Sequence, residues 1–388
     1  MSTALVSPTA RPPLLRGLAV GAVTLGIFSI VTTEILPIGL LTSIGGDFTV
    51  SDGMAGLMMT MPGLIAAVAA PLVTVAAARI DRKLLLCGFT LLLVLANAIA
   101  ATAPQFWLLL VSRFLLGITI GGYWSIAAGL AARLVPPEKK ARATSVIFAA
   151  VPLGSVLGVP AGTFIGSVSG WRMSFVLLGI LAATVLALLL IALPPLPAHE
   201  SIGFASLRAS AQHPATRFAL LATVLIVVAH FGAYTYITPF LEQVTEIDAR
   251  TITVALLIYG AAGVVGNFVG GTLAAHRPRS ALAYAAALIT VATVALPLLG
   301  RWEIGAVALL VVWGLGYGAV PIATQTCFAE ALPNSPQAAS VLFTASFQAT
   351  LAVGALLGGV LVDRSSPSAV LLLAGATATI VCVIATRR

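Results

Sequence analysis

The residue in this chain best placed to do chemistry is Glu34. It sits in Thr32-Thr33-Glu34-Ile35-Leu36-Pro37, inside an apolar run that begins after Arg16 and lasts to Asp47. Only 12 of 388 residues are acidic, and a charge in hydrocarbon costs several kcal/mol, so it pairs, takes up a proton or lines a wet cavity. Arg113 and His230 share its depth. At a rise of ~1.5 Å per residue, Glu34 lies about 20 Å from Asp47 and Arg113 about 12 Å from Gln105 on the same side. His230 lies between Arg217 and Glu242, near the middle of its own run. These three residues form a candidate proton-coupling set. Thr33, Tyr123, Trp124, Tyr234, Tyr236, Asn267, Trp313, Gln325 and Gln348 are candidates for a central binding cavity. Their hydroxyls, amides and amphipathic rings suit a small molecule with an apolar body and several hydroxyls or ring nitrogens. Packing alternatives stand beside these roles: Arg113 can brace backbone carbonyls, His230 can be a satisfied interior histidine, and Trp124 and the tyrosines can simply fill space.

The elements that must position these groups are membrane helices. Hydrophobic residues make up 60% of the chain and charged residues 8%, against ordinary usage of about 45–50% and about 25%. Apolar runs between polar breaks predict twelve spans, near 15–42, 53–77, 83–103, 105–133, 143–167, 172–194, 216–241, 251–274, 280–300, 303–329, 337–362 and 367–386. The first run is too long for a signal peptide and no small-residue cleavage site stands out, so it reads as a retained helix. An even number of spans puts both ends on one side, and the bases say which. Of 20 Lys and Arg, Arg172, Arg250, Arg301 and Arg364 fall in the opposite loops and Arg113 lies within a helix. The other fifteen fall on the side of the termini, which the positive-inside rule makes cytoplasmic. The net charge of +8 is thereby assigned to orienting helices against the lipid bilayer, and no nucleic-acid partner is expected.

Cys87, Cys327 and Cys382 lie within apolar runs at no disulfide or metal spacing. The sequence shows no metal-ligand cluster, nucleophile elbow or phosphate-binding glycine loop. No cofactor, no metal and no enzymatic activity are expected.

The chain divides at its longest polar break. The organisation predicted is a cytoplasmic tail over 1–14, a six-helix bundle over 15–194, a cytoplasmic linker over 195–215 and a second six-helix bundle over 216–386. Weak self-similarity at an offset near 197 supports a duplication. Gly117, Thr119 and Gly121 match Gly314, Gly316 and Gly318, and Ser145-Val146-Ile147-Phe148 recurs as Ser340-Val341-Leu342-Phe343. Thr33-Glu34-Ile35-Leu36-Pro37 resembles Thr235-Tyr236-Ile237-Thr238-Pro239, with Tyr236 where Glu34 stands. The fold class is therefore all-α and polytopic: twelve transmembrane helices in two pseudo-symmetric six-helix bundles. Parallel repeats of this kind place a transport site at their interface. In helix five, Gly154, Gly158, Gly162, Gly166 and Gly170 recur every fourth residue, and Pro160 favours a bend. Such a stripe lets a second backbone approach closely. Its expected role is a hinge or sliding seam between the bundles, with plain helix packing as the alternative.

Several stretches resemble the major facilitator superfamily. Arg113-Phe114-Leu115-Leu116-Gly117 is similar to its Arg-x-x-x-Gly core motif. Gly154-Ser155-Val156-Leu157-Gly158-Val159-Pro160-Ala161-Gly162 is similar to its helix-five antiporter motif, and Gly170-Trp171-Arg172-Met173-Ser174-Phe175 to the Gly-Trp-Arg-x-x-Phe of proton-driven drug antiporters. Glu34-Ile35-Leu36-Pro37-Ile38-Gly39-Leu40-Leu41, Trp124-Ser125-Ile126, Arg133-Leu134-Val135-Pro136-Pro137 and the segment Ala229 to Ile237 are most similar to bacterial sugar-efflux and purine-nucleoside-efflux exporters. The resemblance implies the major facilitator fold in a bacterial inner membrane, a monomer, and proton-coupled antiport exporting sugars, nucleosides or drugs by alternating access. A proton-coupled importer, and beyond it a membrane sensor or enzyme, are the alternatives. The loop between helices two and three departs from the family's Gly-x-x-x-Asp-Arg-x-Gly-Arg-Arg. Thr74 and Ala78 replace the first glycine and the acid, followed by Arg79, Ile80, Asp81, Arg82 and Lys83. Arg79, Asp81, Arg82 and Lys83 remain candidate gating residues, with Asp81 either replacing the missing acid or standing as a solvated loop charge.

Overall fold

Apolar residues all round a helix leave it no polar face to turn to water, so such helices belong in a bilayer. The computed structural model describes residues 12–76, 80–127, 130–197 and 203–386 and contains twelve helices long and apolar enough to span one. They are α1 (Pro13–Ile35), α2 (Asp52–Ala76), α3 (Arg82–Thr102), α4 (Phe106–Ile126), α5 (Pro137–Ser169) and α6 (Trp171–Ala192), then α7 (Pro214–Gln243), α8 (Ala249–Ala274), α9 (Pro278–Leu299), α10 (Glu303–Ala331), α11 (Pro336–Arg364) and α12 (Pro367–Thr386). A short helix, Phe204–Gln212, lies between α6 and α7. Large apolar side chains such as Phe164, Ile191, Phe268 and Leu298 are exposed on the outside of the bundle, where lipid tails replace water.

The two halves pack alike. Gly117 and Gly121 of α4 lie where an added Cβ would strike the Pro62 and Ala66 carbonyls of α2, while Gly314 and Gly318 of α10 do the same against Tyr259 and Gly263 of α8. The glycines aligned across the repeat thus do equivalent work. One buried core is drawn from residues between 19 and 196. A larger one comes from residues between 222 and 385, joined by Ile38, Met59 and Val159 of the first half.

Three helices are not continuous rods, one of them beside Pro160, where a bend is expected. The first run breaks after Ile35 and resumes as Pro37–Phe48. Proline has no N–H to donate and crowds the carbonyl four residues back, here Thr33. α7 breaks at Thr235 and Tyr236 before Ile237–Gln243, two residues ahead of Pro239. α5 widens into a π segment over Gly154–Gly158, next to Pro160, whose missing N–H leaves the Val156 carbonyl without its helical donor. It ends at Gly170, whose φ of +83° is a conformation that L side chains rarely adopt. The run expected over 105–133 also stops early, with Ala131–Leu134 a separate turn.

The halves meet along α2 against α11 and α5 against α8. Gly63 of α2 faces the Gln348 carbonyl, and Gly260 of α8 faces the Val156 backbone. Hydrogen bonds that cross between the halves gather at the face opposite the chain ends. Thr42 donates to Glu242 (2.9 Å), Thr238 to the Ile38 carbonyl (2.8 Å), and Gln243 to Asp52 (3.2 Å). At the start of α2, Ser51 Oγ and the Gly53 N–H donate to Asp363 of α11 at 2.7 and 2.9 Å. These hydrogen bonds tie the halves together on this face.

Candidate functional site

Glu34 stands just before the break in α1 and is 7% exposed. Gln348 Nε2, on α11 of the other half, donates to Glu34 Oε1 at 2.8 Å. The contact joins the two halves at the depth of the α1 break. Glu34 has no ion pair among the described residues; there the ion pair is Arg172 with Asp47, at the rim. Among the described residues the carboxyl group of Glu34 accepts this one side-chain hydrogen bond, and Gln348 Oε1 is buried there without a partner.

Arg113, expected beside Glu34, is tied instead to its backbone neighbour. Its Nη1 donates to the Thr33 carbonyl at 2.9 Å, Nε donates to Ser112 Oγ at 3.3 Å, and the guanidinium lies 5.0 Å over the Phe175 ring. The Thr33 carbonyl is the acceptor that Pro37 cannot serve, so Arg113 supplies the donor the helix lost. Nη2 stays buried and unpartnered. Thr33 Oγ1 turns toward Asn97 of α3, whose Nδ2 reaches it at 3.3 Å. The carbonyl and the hydroxyl of Thr33 are therefore both held within the first half.

Across the seam, His230 lies in an aromatic stack. Its ring is parallel to Tyr317 at 3.5 Å between centroids and stacked on Tyr234 at 5.1 Å, and Tyr234 stacks on Tyr259 at 4.5 Å. Trp313 stands edge-on to His230 and Tyr234 and donates its indole N–H to His230 Nδ1 at 3.1 Å. His230 Nε2 and the Tyr259 hydroxyl are buried without partners.

The remaining candidates scatter. Tyr236 faces away from the stack: the backbone leaves the helix there, at φ −109° and ψ 21°, and its hydroxyl donates to the Ala355 carbonyl at 2.7 Å. Tyr123 fills the space left by Gly26 of α1, inside the first half, with its hydroxyl unpartnered. Trp124 is half-buried against Phe148 of α5, at 6.1 Å. Asn267 sits half-buried where α8 approaches Gly318. Gln325 is exposed, six residues from the end of α10.

Two mechanical expectations need correction. The glycine stripe of α5 is not a seam between halves: Gly154 faces Val31, Gly158 faces Thr32 and Gly162 faces Leu36, all on the first run of the same half. The stripe and Pro160 lie on one helix, but the π segment turns Val156, not the glycines, toward α8. Asp81 is half-buried and its carboxylate is engaged. It caps α3 through the Lys83 N–H (2.7 Å) and accepts from the Leu196 N–H (2.9 Å), while Lys83 Nζ reaches the Leu190 carbonyl and the Arg82 N–H the Leu196 carbonyl, each at 2.8 Å. The loop is thus bound to the end of α6. Arg79 lies outside the described residues.

Sequence reasoning missed Tyr317, Tyr259 and Asn97. Tyr317 was visible as the i+4 partner of Trp313, the same spacing that pairs His230 with Tyr234. Asn97 is a lone amide in an apolar run, a signal of the same kind as Gln348.

A sequence model described as Major Facilitator Superfamily matches residues 23–341. The chain is 30% identical over 341 residues to a "Probable sugar efflux transporter" of Helicobacter pylori, covering 88% of this chain and 87% of that one. It is 33% identical over 352 residues to a "Transcription regulatory protein OpdE" of Pseudomonas aeruginosa, covering 89% and 87%. In structure it is similar to a bacterial homologue of the human lysosomal transporter Spinster in an inward-facing, occupied conformation. That likeness has a TM-score of 0.77, 16% identity and 97% coverage of each chain. It is also similar to the human organic anion transporter MFSD10, with a TM-score of 0.71, 15% identity and coverage of 97% and 100%.

Proposed function

The chain belongs to the major facilitator superfamily, and on that premise we propose that this transporter exports small organic molecules, among them sugars or nucleosides, in exchange for protons. The observation that carries the reading is the Glu34–Gln348 hydrogen bond across the seam. A buried carboxylate whose hydrogen-bond donor, among the described residues, belongs to the opposite half senses the separation of the halves. When the seam parts, Glu34 exchanges its amide partner for water, so the surroundings of its carboxyl group change with conformation. Proton affinity and conformation are then linked, which is the requirement for coupling. An inward proton contributes ~2.3 kcal/mol per 100 mV of membrane potential, with any pH gradient added.

In this reading the bundles over 15–194 and 216–386 rock against each other, with the termini cytoplasmic in a bacterial inner membrane. The tied face is the outer one, held by Asp363 on the start of α2, and Asp81 keeps the inner loop fastened to α6. The resemblance of the helix-five motif and the sugar-efflux relative support exchange and a sugar-like cargo.

The test is lactose and inosine movement in proteoliposomes with an imposed pH gradient. Wild type is expected to accumulate a probe against its gradient, and Glu34→Gln to reach only equilibration. Full gradient-driven accumulation by Glu34→Gln would remove Glu34 from the coupling.

A further inference from the structure

The donor–acceptor inventory around His230 specifies more than a stacked ring. An indole N–H can only donate, so Trp313 fixes His230 Nδ1, 3.1 Å away, as an acceptor. The proton of a neutral imidazole must then sit on Nε2. That Nε2 belongs to a side chain with no exposed surface and has no partner among the described residues. Adding a second proton would set the imidazole Nδ1–H against the indole N–H, so the ring resists the cationic form for as long as Trp313 stays in place. The ring stacks on Tyr317 and Tyr234 and meets Phe231 edge to face at 4.7 Å, and Nε2 is the polar atom it has left to offer a ligand. Four other buried atoms of the second half lack partners among the described residues: the Thr216 and Thr223 hydroxyls lower on α7, the Tyr259 hydroxyl at the end of the stack, and Gln348 Oε1 beside Glu34. A buried donor left unmade is unfavourable, and a bound molecule with a matching acceptor removes that penalty.

We infer that His230 is not a proton carrier but a neutral Nε2–H donor, set by Trp313, that selects cargo presenting an uncharged hydroxyl or carbonyl acceptor on a ring that packs against the aromatic stack. A hydroxylated sugar ring, alone or within a nucleoside, has this chemistry; a purely apolar cation lacks the acceptor. The inference rests on the transport reading for its biological sense, while the donor and its tautomer stand on geometry alone. The division of labour follows: the first half carries the proton at Glu34 and the second half reads the cargo at His230, with Gln348 touching the carboxylate from the reading side.

Two measurements test it. In protein labelled with 15N-histidine, the His230 signals, identified by their loss in His230→Gln, are expected at pH 7 to show Nδ1 unprotonated and Nε2 protonated. A Trp313→Phe variant should show a mixture of tautomers. A protonated Nδ1 in the wild type overturns the assignment. The second measurement is equilibrium binding of lactose and of inosine, without any gradient. His230→Phe keeps the stack and loses the donor, and should weaken binding of the recognised probe by roughly 10- to 100-fold, the scale on which a hydrogen-bonding site rejects a mismatched partner. His230→Gln restores an N–H and should recover most of that loss. Response to lactose shows that the sugar ring suffices; response to inosine alone assigns the nucleoside. Unchanged affinity in His230→Phe, or no binding of either probe to wild type, overturns the proposal. If binding depends on His230 but a pH gradient moves neither probe, the transport reading fails and this one stands. Gradient-driven transport that is indifferent to His230→Phe gives the reverse.

Discussion

The two halves share a fold and differ in what they bury at the seam. In the first half the polar groups serve the backbone: Arg113 replaces the donor lost at Pro37 and Asn97 holds the Thr33 hydroxyl, while Glu34 takes its hydrogen bond from the other half. In the second half the corresponding space is aromatic, with Tyr317, His230, Tyr234 and Tyr259 in one stack. The repeat makes the contrast sharp. At the offset that aligns Gly117 with Gly314, Arg113 aligns with Leu310, which is fully buried. The duplicated helices thus differ in their seam-facing side chains and stay alike where glycines let backbones meet. A symmetric scaffold can carry an asymmetric site because helix contacts depend on small residues at a few positions and leave the seam-facing side chains free to change.

The largest effect should come from erasing that asymmetry. Arg113→Leu copies the second half into the first and leaves the Thr33 carbonyl without a donor beside Glu34. Gradient-driven accumulation of a transported probe in proteoliposomes is expected to fall ~100-fold, roughly 2.7 kcal/mol, with Arg113→Lys intermediate. Near-normal accumulation in Arg113→Leu would show that the brace is dispensable. The next effect separates packing within a half from contact between halves. Gly158→Val would drive a side chain into Thr32 within the first half, and should lower stability by about 2 kcal/mol through overpacking, read as thermal unfolding in detergent. Gly260→Val meets the Val156 backbone across the seam, so it should instead alter the balance of inward and outward forms, read by thiol accessibility from either side. Equal effects of the two on unfolding would cancel the distinction.

The smallest effect concerns the rim. Asp47 accepts from Arg172 and from the Trp171 indole, and the hydrogen bond from Arg172 holds its carboxyl below the ordinary carboxylate range. A folded-state value below the unfolded one means that the contribution is complete above the ordinary range and is lost as pH falls through the depressed value. Both side chains are more than a third exposed, so solvent screening limits the pair to about 0.5 kcal/mol. Unfolding of wild type should therefore lose slightly more stability on acidification than Asp47→Asn. An identical pH profile in the two would show that the pair adds nothing to the first half.

Twelve spans, their all-helical class and the pairing of Gly117 and Gly121 with Gly314 and Gly318 were legible in the sequence, because hydropathy and small-residue spacing are local signals. Glu34 and Gln348 were both legible as polar groups at depth, but not as partners: they are 314 residues apart, and no local pattern encodes which side chains a seam brings together. The glycine stripe shows the same limit from the other side. Its four-residue period correctly announced a close helix contact, yet the period is blind to which helix arrives, and α1 rather than the opposite half fills it. Likewise Pro37 was readable as a residue that strips a donor from Thr33, while its replacement by Arg113 depended on α4 passing that point. Composition and periodicity decided that this chain crosses a bilayer twelve times as two repeats, since in hydrocarbon each helix must satisfy its own backbone. Only the tertiary packing decided that Glu34 answers to an amide of the opposite half and His230 to an indole, because side-chain partners across a seam are set by where helices cross.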